Sequence, residues 1–167
     1  MHGVLEFAQR LGSTPLSIWI QSHLWITPLL QAIHILMIGV VFVSVLMIML
    51  RILGRVRPDQ PFEAVWKRFA PWMWTGFCIM ATTGIILTIS EPEREAKALS
   101  FWLKMLLIAV GLVSVVALRR AVARHASSGI SAAARVGAVA VLAVWIAIIF
   151  LGRAIAYDVE VWGPWIS

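Results

Sequence analysis

Residues 28–50, PLLQAIHILMIGVVFVSVLMIML, form an apolar run in which Gln31, His34 and Ser44 are the only polar side chains. An α-helix needs about 20 mostly apolar residues to cross the hydrocarbon core of a bilayer. This run is long enough, and it contains no Asp, Glu, Lys or Arg. It therefore predicts a transmembrane helix and places the chain among membrane proteins.

Three further runs have the same character, at about residues 70–89, 101–118 and 136–157. Of the 167 residues, 61% are hydrophobic and 13% are charged, whereas soluble domains average about 45–50% and about 25%. Nine tryptophans agree with this class, because Trp concentrates at the lipid–water interface. The predicted fold is all-α, an integral membrane four-helix bundle over residues 28–157.

Short segments flank the predicted bundle. Thr14-Pro15 and Thr27-Pro28 each resemble an N-cap followed by proline at the first helical position. Residues 1–27 are thus expected to form a tail with an interfacial helix, and residues 158–167 a second tail. An apolar stripe opposite two basic residues predicts another interfacial segment before a helix that starts near residue 70. This stripe consists of Phe62, Val65, Trp66 and Phe69.

The distribution of Lys and Arg predicts the orientation. Two loops contain nine of the fourteen basic residues, namely Arg51, Arg55, Arg57, Lys67, Arg68, Arg119, Arg120, Arg124 and Arg135. Cytoplasmic loops carry such an excess, so both termini are expected on the periplasmic side of a bacterial cytoplasmic (inner) membrane. Because the net charge of +6 is concentrated at the ends of apolar segments, no nucleic-acid partner is expected.

Polar side chains within the apolar runs gather in the outer half of the predicted bundle. They are Gln31, His34, Lys104, Arg153 and Tyr157. Ionisable groups at membrane depth are costly and usually face the bundle interior, a partner or a cavity. The set predicts a binding site, although simpler explanations stay open. His34 could bond only to Gln31 or a neighbouring helix, and the two cations could reach the interface or pair with Glu91, Glu93 or Glu95.

Two cofactors fit these residues. Haem b could take His34 as an axial metal ligand, with Met80 or Met105 as the second, since the other three predicted spans contain no histidine. Lys104 and Arg153 would then face the anionic propionates. Alternatively, the same groups, with Gln31 and Tyr157 nearby, could bind the carbonyl oxygens of a quinone.

The predicted function is therefore a membrane redox subunit that holds haem b or a quinone near the periplasmic side for electron transfer. The alternative is a non-catalytic anchor or assembly subunit of a larger membrane complex. Besides the lipid bilayer, the expected partner is a protein on the periplasmic side or a second copy of the chain. No catalytic residue is assigned, and whether the chain is an enzyme stays open.

Three stretches also carry a resemblance to a known family. ISEPEREAKALSFWLKMLLIAVGLVSVV (89–116), WIAIIFLGRAIAY (145–157) and QAIHILMIG (31–39) resemble an uncharacterised family of bacterial four-helix membrane proteins. Lys104, Gly152, Arg153 and Tyr157 stand at the pattern positions. More distantly, a histidine in the first helix and a lysine opening the third are similar to haem-associated protoporphyrinogen oxidase and copper-resistance D-type membrane domains. That similarity implies His34 and Lys104 as the functional pair.

Overall fold

A computed structural model describes residues 2–124 and 129–154 of the chain. These residues form seven helices and no strand, so the all-α prediction is confirmed for them. The helices are α1 (His2–Gly12), α2 (Pro15–Ser22), α3 (Ile26–Ile52), α4 (Phe62–Ser90), α5 (Pro92–Lys97), α6 (Leu99–Arg124) and α7 (Ala132–Ala154).

Four of these helices are long and apolar enough to cross a membrane, as the sequence predicts. They are α3, α4, α6 and α7, with 27, 29, 26 and 23 residues respectively. At 1.5 Å per residue even the shortest spans about 35 Å, against a hydrocarbon core of about 30 Å. The length and apolar character of these four helices are those of a multi-pass membrane protein.

The start of the chain differs in detail from the prediction. Thr14 does cap α2, because its hydroxyl oxygen accepts a hydrogen bond from the Ser17 backbone N–H at 3.4 Å. Thr27 caps nothing, since α3 begins at Ile26 and its N-cap, Trp25, makes no side-chain capping bond. The α1 helix was not predicted.

The predicted interfacial segment after Pro61 is wrong as a separate element. α4 runs without a break from Phe62 through Pro71 to Ser90. Val65 and Trp66 are buried, and the apolar stripe continues at helical spacing into Ala70 and Met73 of the core. Proline is costly inside a helix, but here burial of one continuous stripe outweighs that cost.

The long helices pair into two hairpins. α3 packs along α4, α6 packs along α7, and the hairpins meet mainly through α3 and α7. α4 and α6 make few close backbone contacts with each other within the described residues. We call the boundary between these two helices the α4/α6 seam. The bundle is thus closed along α3 and α7 and loosely joined along the seam.

The short helices gather at one end of the bundle, which we call the α5 end. α1 packs against α5, and α2 is tied to the last turn of α4. There Ser17 Oγ donates to the Ile89 carbonyl at 2.8 Å, and Gln21 Nε2 donates to the Ser90 carbonyl at 2.8 Å. The opposite end carries the α3–α4 loop and the last turn of α6, and we call it the arginine-rich end.

Candidate functional site

The His34 ring lies between α3 and α4. Its Nδ1 is 2.9 Å from the Thr83 hydroxyl oxygen, which in turn is 2.9 Å from the Ile79 carbonyl and 3.0 Å from the Met80 carbonyl. A hydroxyl has one proton to donate, and a backbone carbonyl can only accept it. The Thr83 oxygen therefore accepts from His34 Nδ1–H. This pattern assigns the neutral tautomer in which the Nε2 lone pair is available.

A glycine on α4 makes room for this ring. A Cβ atom on Gly84 would lie 3.2 Å from His34 Cε1, closer than ordinary van der Waals contact. The imidazole therefore packs against the α4 backbone, in the close approach that small residues permit between membrane helices. Gln31, one turn earlier, is exposed. Of the two partners expected for a structural His34, Gln31 or a neighbouring helix, the structure shows the second, Thr83 of α4.

Lys104 occupies a similar notch on α7. Its Nζ is 3.4 Å from the position that a Cβ on Gly152 would take, so the side chain crosses from α6 to α7. The ammonium is near enough to act electrostatically on both His34 and Glu95. Within residues 2–124 and 129–154 it forms no ion pair shorter than 4 Å. Lys104 thus lies in the bundle, within electrostatic reach of Glu95, one of the three acids expected as a partner.

A cavity of about 20 Å³ lies between the hairpins, which is room for about one water molecule. All four long helices contribute to it. Its lining residues are Ile38, Val41, Phe42, Met80, Lys104, Ile108, Trp145, Ile148 and Ile149. The lining of the cavity is therefore mainly apolar and contains one ammonium group, that of Lys104.

Trp145 supplies a second polar group beside the cavity. Its indole N–H is buried and has no hydrogen-bond partner in the described part of the chain. The Nε1 atom is 3.3 Å from where a Cβ on Gly111 would lie. Buried donors normally have a partner, so this N–H is a place where a water or a ligand oxygen would gain a hydrogen bond.

The remaining predicted residues separate into two groups. Met80 is buried and lines the same cavity as Lys104, whereas Met105 is 39% exposed on the outside of α6. Arg153 follows Gly152 near the end of α7 and is exposed, and it makes an interaction of its own. Tyr157 lies outside the described residues. The structure thus brings Lys104 and Met80 to one cavity and leaves Met105 away from it.

Sequence reasoning did not include three residues of the site. Thr83, Gly84 and Trp145 are not among the predicted site residues, whereas Gly152 stands at a position of the family pattern. One signal could have found two of them. Thr83-Gly84 places a hydroxyl beside a missing side chain at the depth of His34, and this small polar pattern is typical of contacts between membrane helices.

Glu95 on α5 lies above Lys104 at the α5 end. Burial raises the pKa of its carboxyl group above the ordinary value of 4.5, while the positive charges of Arg94 and Lys104 oppose the shift. The nearest guanidinium nitrogen of Arg94 is 3.7 Å away. A titratable acid, an ammonium and an imidazole therefore follow one another from the α5 end into the bundle.

The chemistry available is that of hydrogen bonding and proton exchange. His34 Nε2 can accept a proton, and Lys104 and the Trp145 N–H can donate hydrogen bonds. The described residues contain no group of three His, Cys, Asp or Glu side chains that could hold a metal ion.

Fold and site define a class, a four-helix membrane protein with a histidine and a lysine directed into the bundle. The chain belongs to the family of unknown function DUF6644, whose pattern matches residues 22–158. No curated protein and no solved structure matches the chain. The match confirms the predicted resemblance to a family without an assigned activity. The more distant resemblance to haem-associated and copper-resistance domains stays a prediction.

Proposed function

We propose that the protein is a membrane redox subunit that binds the head group of a quinone at the α4/α6 seam, with His34 and Lys104 as its polar ligands. The observation that carries this proposal is the hydrogen bond from His34 Nδ1 to Thr83. It leaves Nε2 as an acceptor for a quinol hydroxyl, while Lys104 can donate to the second ring oxygen. Reduction of a quinone takes up two electrons and two protons, and a redox partner protein would exchange the electrons.

The seam suits a ligand that arrives through the bilayer. Because α4 and α6 make few backbone contacts within the described chain, a flat ring can enter between them without breaking the main interface of the hairpins. An isoprenoid tail would remain in lipid. Trp145 and the isoleucines of the cavity would form the apolar wall that quinone rings require.

Haem b is the second candidate. A histidine ligand to a metal usually donates its other ring nitrogen to a fixed acceptor, and Thr83 holds His34 in that way. The predicted Met ligands support haem less well. Met105 is exposed, and Met80 belongs to α4, against which the imidazole already packs. No porphyrin fits between the ring and that helix.

We place the α5 end of the bundle on the periplasmic side of a bacterial inner membrane, because the opposite end carries the arginine-rich loops. The candidate site then lies in the outer half of the bilayer. Trp19 and Trp25 at this end are exposed. These rings would serve as anchors in the lipid interface or as contacts for the redox partner.

Quinone binding can be measured on the whole protein in a mild detergent. A short-chain benzoquinone should bind to the wild-type protein. His34→Gln or Lys104→Met should each lower its affinity at least tenfold, which corresponds to about 1.4 kcal/mol of binding free energy. His23→Gln is the matched control, because His23 bonds to the Trp19 carbonyl and stacks on its own helix. Size-exclusion profiles and melting temperatures would show that every variant is folded.

The same preparation separates the alternatives. A Soret band that changes on reduction and disappears in His34→Gln would show that the ligand is haem b and not a quinone. If wild-type protein binds neither the benzoquinone nor haem, the redox function is wrong, and the anchor or assembly role becomes the better explanation. Equal weakening by His23→Gln would show that the effect does not come from the site.

A further inference from the structure

A groove runs along the last turns of α6 at the arginine-rich end. It is a shallow surface feature that is open to the surroundings, and its lining residues are Ala117, Arg119, Arg120, Ala123 and Arg124. All five side chains are exposed. Because alanine side chains are short, the floor of this α6 groove is open and apolar, while its sides carry three guanidinium groups.

One of these guanidinium groups is held in place by α4. Arg119 lies 4.8 Å from the centroid of the Trp66 ring, a cation–π contact, and 3.9 Å from the Glu63 carboxylate. Trp66 is itself 8% exposed and packs on Phe62. A cation fixed in this way loses little side-chain entropy when it binds a ligand.

The other two guanidinium groups point to a doubly charged partner. Arg120 and Arg124 are one helical turn apart and therefore share a face of α6. Neither forms an ion pair within 4 Å in the described chain. The three arginines together with Glu63 carry a net charge of +2. A ligand with two negative charges would neutralise this set.

We propose that the α6 groove binds the head group of an anionic phospholipid with two phosphodiester groups. The arginines lie at the end of a membrane-spanning helix, at the level where lipid phosphates are found. Arginine binds phosphate through two parallel hydrogen bonds, and basic pockets at helix ends are a common form of lipid site. Ala117 and Ala123 leave space for the glycerol backbone between the phosphates.

This inference is independent of the redox function. Lys104 and Arg120 are about 24 Å apart along α6 at 1.5 Å per residue, so the lipid site and the His34 site can be tested separately. Delipidated whole protein would be titrated with diphosphatidylglycerol, phosphatidylglycerol, phosphatidylcholine and inorganic phosphate, and bound molecules counted by native mass spectrometry. One diphosphatidylglycerol should bind at lower concentration than either other lipid or phosphate.

Three variants locate the binding. R120Q/R124Q should weaken diphosphatidylglycerol binding by about thirtyfold, the effect of two arginines at an anionic surface. Ala123→Phe fills the groove, keeps every charge, and should remove the preference for this lipid. K67Q/R68Q is the matched control, since both residues are exposed at the same end and the change in charge is equal. The affinity of this control variant for diphosphatidylglycerol should stay within about twofold of the wild-type value. That change is smaller than the effect of removing one basic residue that contacts the lipid.

Several results would overturn the lipid site. Equal weakening by K67Q/R68Q would show diffuse attraction of basic residues instead of a groove. Unchanged binding by Ala123→Phe would place the lipid elsewhere, and tight binding of inorganic phosphate would identify a phosphate site without a lipid component. If R120Q/R124Q does not fold, R120K/R124K keeps the charge and removes the paired hydrogen bonds. That variant should lose the preference for diphosphatidylglycerol over phosphatidylglycerol.

Discussion

At the scale of the residue, one hydroxyl group sets the state of His34. Thr83 gives its only proton to the backbone of α4 and so receives the proton of Nδ1. A histidine that bonded to Gln31 could take either tautomer, because an amide both donates and accepts. Thr83 therefore directs a defined acceptor, Nε2, away from α4, and this is what makes a ligand role chemically specific.

Thr83→Val tests that bond while it keeps the shape of the side chain. Thr83 is 6% exposed, so the variant leaves a partly buried imidazole N–H without its acceptor and should lower the free energy of unfolding by about 1 kcal/mol. Thr82→Val is the control, since Thr82 is exposed and bonds only to the Cys78 carbonyl of its own helix. It should change stability by less than about 0.5 kcal/mol. Thermal unfolding in detergent measures both, and equal losses would contradict the role of Thr83.

The sequence predicted the members of the site unevenly, for a physical reason. His34 and Lys104 were found because ionisable groups at membrane depth need an explanation. Gln31 and Met105 were grouped with them by depth, and the structure shows both side chains exposed. Depth can be predicted from position along a helix, but the direction of a side chain cannot. α3 is apolar on all its sides, so its pattern does not indicate which side faces the bundle.

At the scale of the element, α4 shows where local rules gave way to packing. The apolar stripe opposite two basic residues predicted a separate interfacial segment and a helix boundary near residue 70. In the structure the helix continues, because Trp66, Ala70 and Met73 all reach the same core. The four spans could be predicted, since length and apolarity decide them. Their ends could not, since tertiary contacts decide those.

α5 provides a test of stability against pH. The folded protein holds a proton on Glu95 at pH values where the unfolded chain, with a pKa of about 4.5, has lost it. Between 4.5 and the raised pKa the folded state therefore binds more protons, so this contribution to stability is complete below 4.5 and falls as pH rises through the raised pKa. Glu95→Gln should remove this decline in melting temperature.

The control for Glu95 is Glu93→Gln on the same helix. Glu93 is exposed and pairs with Lys97 at 3.4 Å, so the decline with pH should remain as in wild type. Melting temperatures of the three proteins would be compared from pH 4.5 upward. A decline that persists in Glu95→Gln would show that a different group is responsible.

At the scale of the whole molecule, orientation is the prediction with the widest consequence. A Cys78→Ala background would carry one new cysteine, either Ser13→Cys at the α5 end or Arg57→Cys at the arginine-rich end. In intact bacterial cells a membrane-impermeant thiol reagent should label Cys at 13 and reach Cys at 57 only after lysis. The reverse pattern would move the candidate site to the inner half of the bilayer.

The pairing of the hairpins also determines how the size of the internal cavity can change. α3 and α7 form the main contact between the two halves, so a rigid-body rotation about that contact separates α4 from α6. For a helix about 10 Å across, a rotation of about 10° widens the opposite edge by about 2 Å. This motion would keep the contacts within each hairpin, but it would break the contacts of Arg119 with Trp66 and Glu63 across the seam. Such a rotation would widen the water-sized space between the hairpins and would give a flat ring access to it from the lipid.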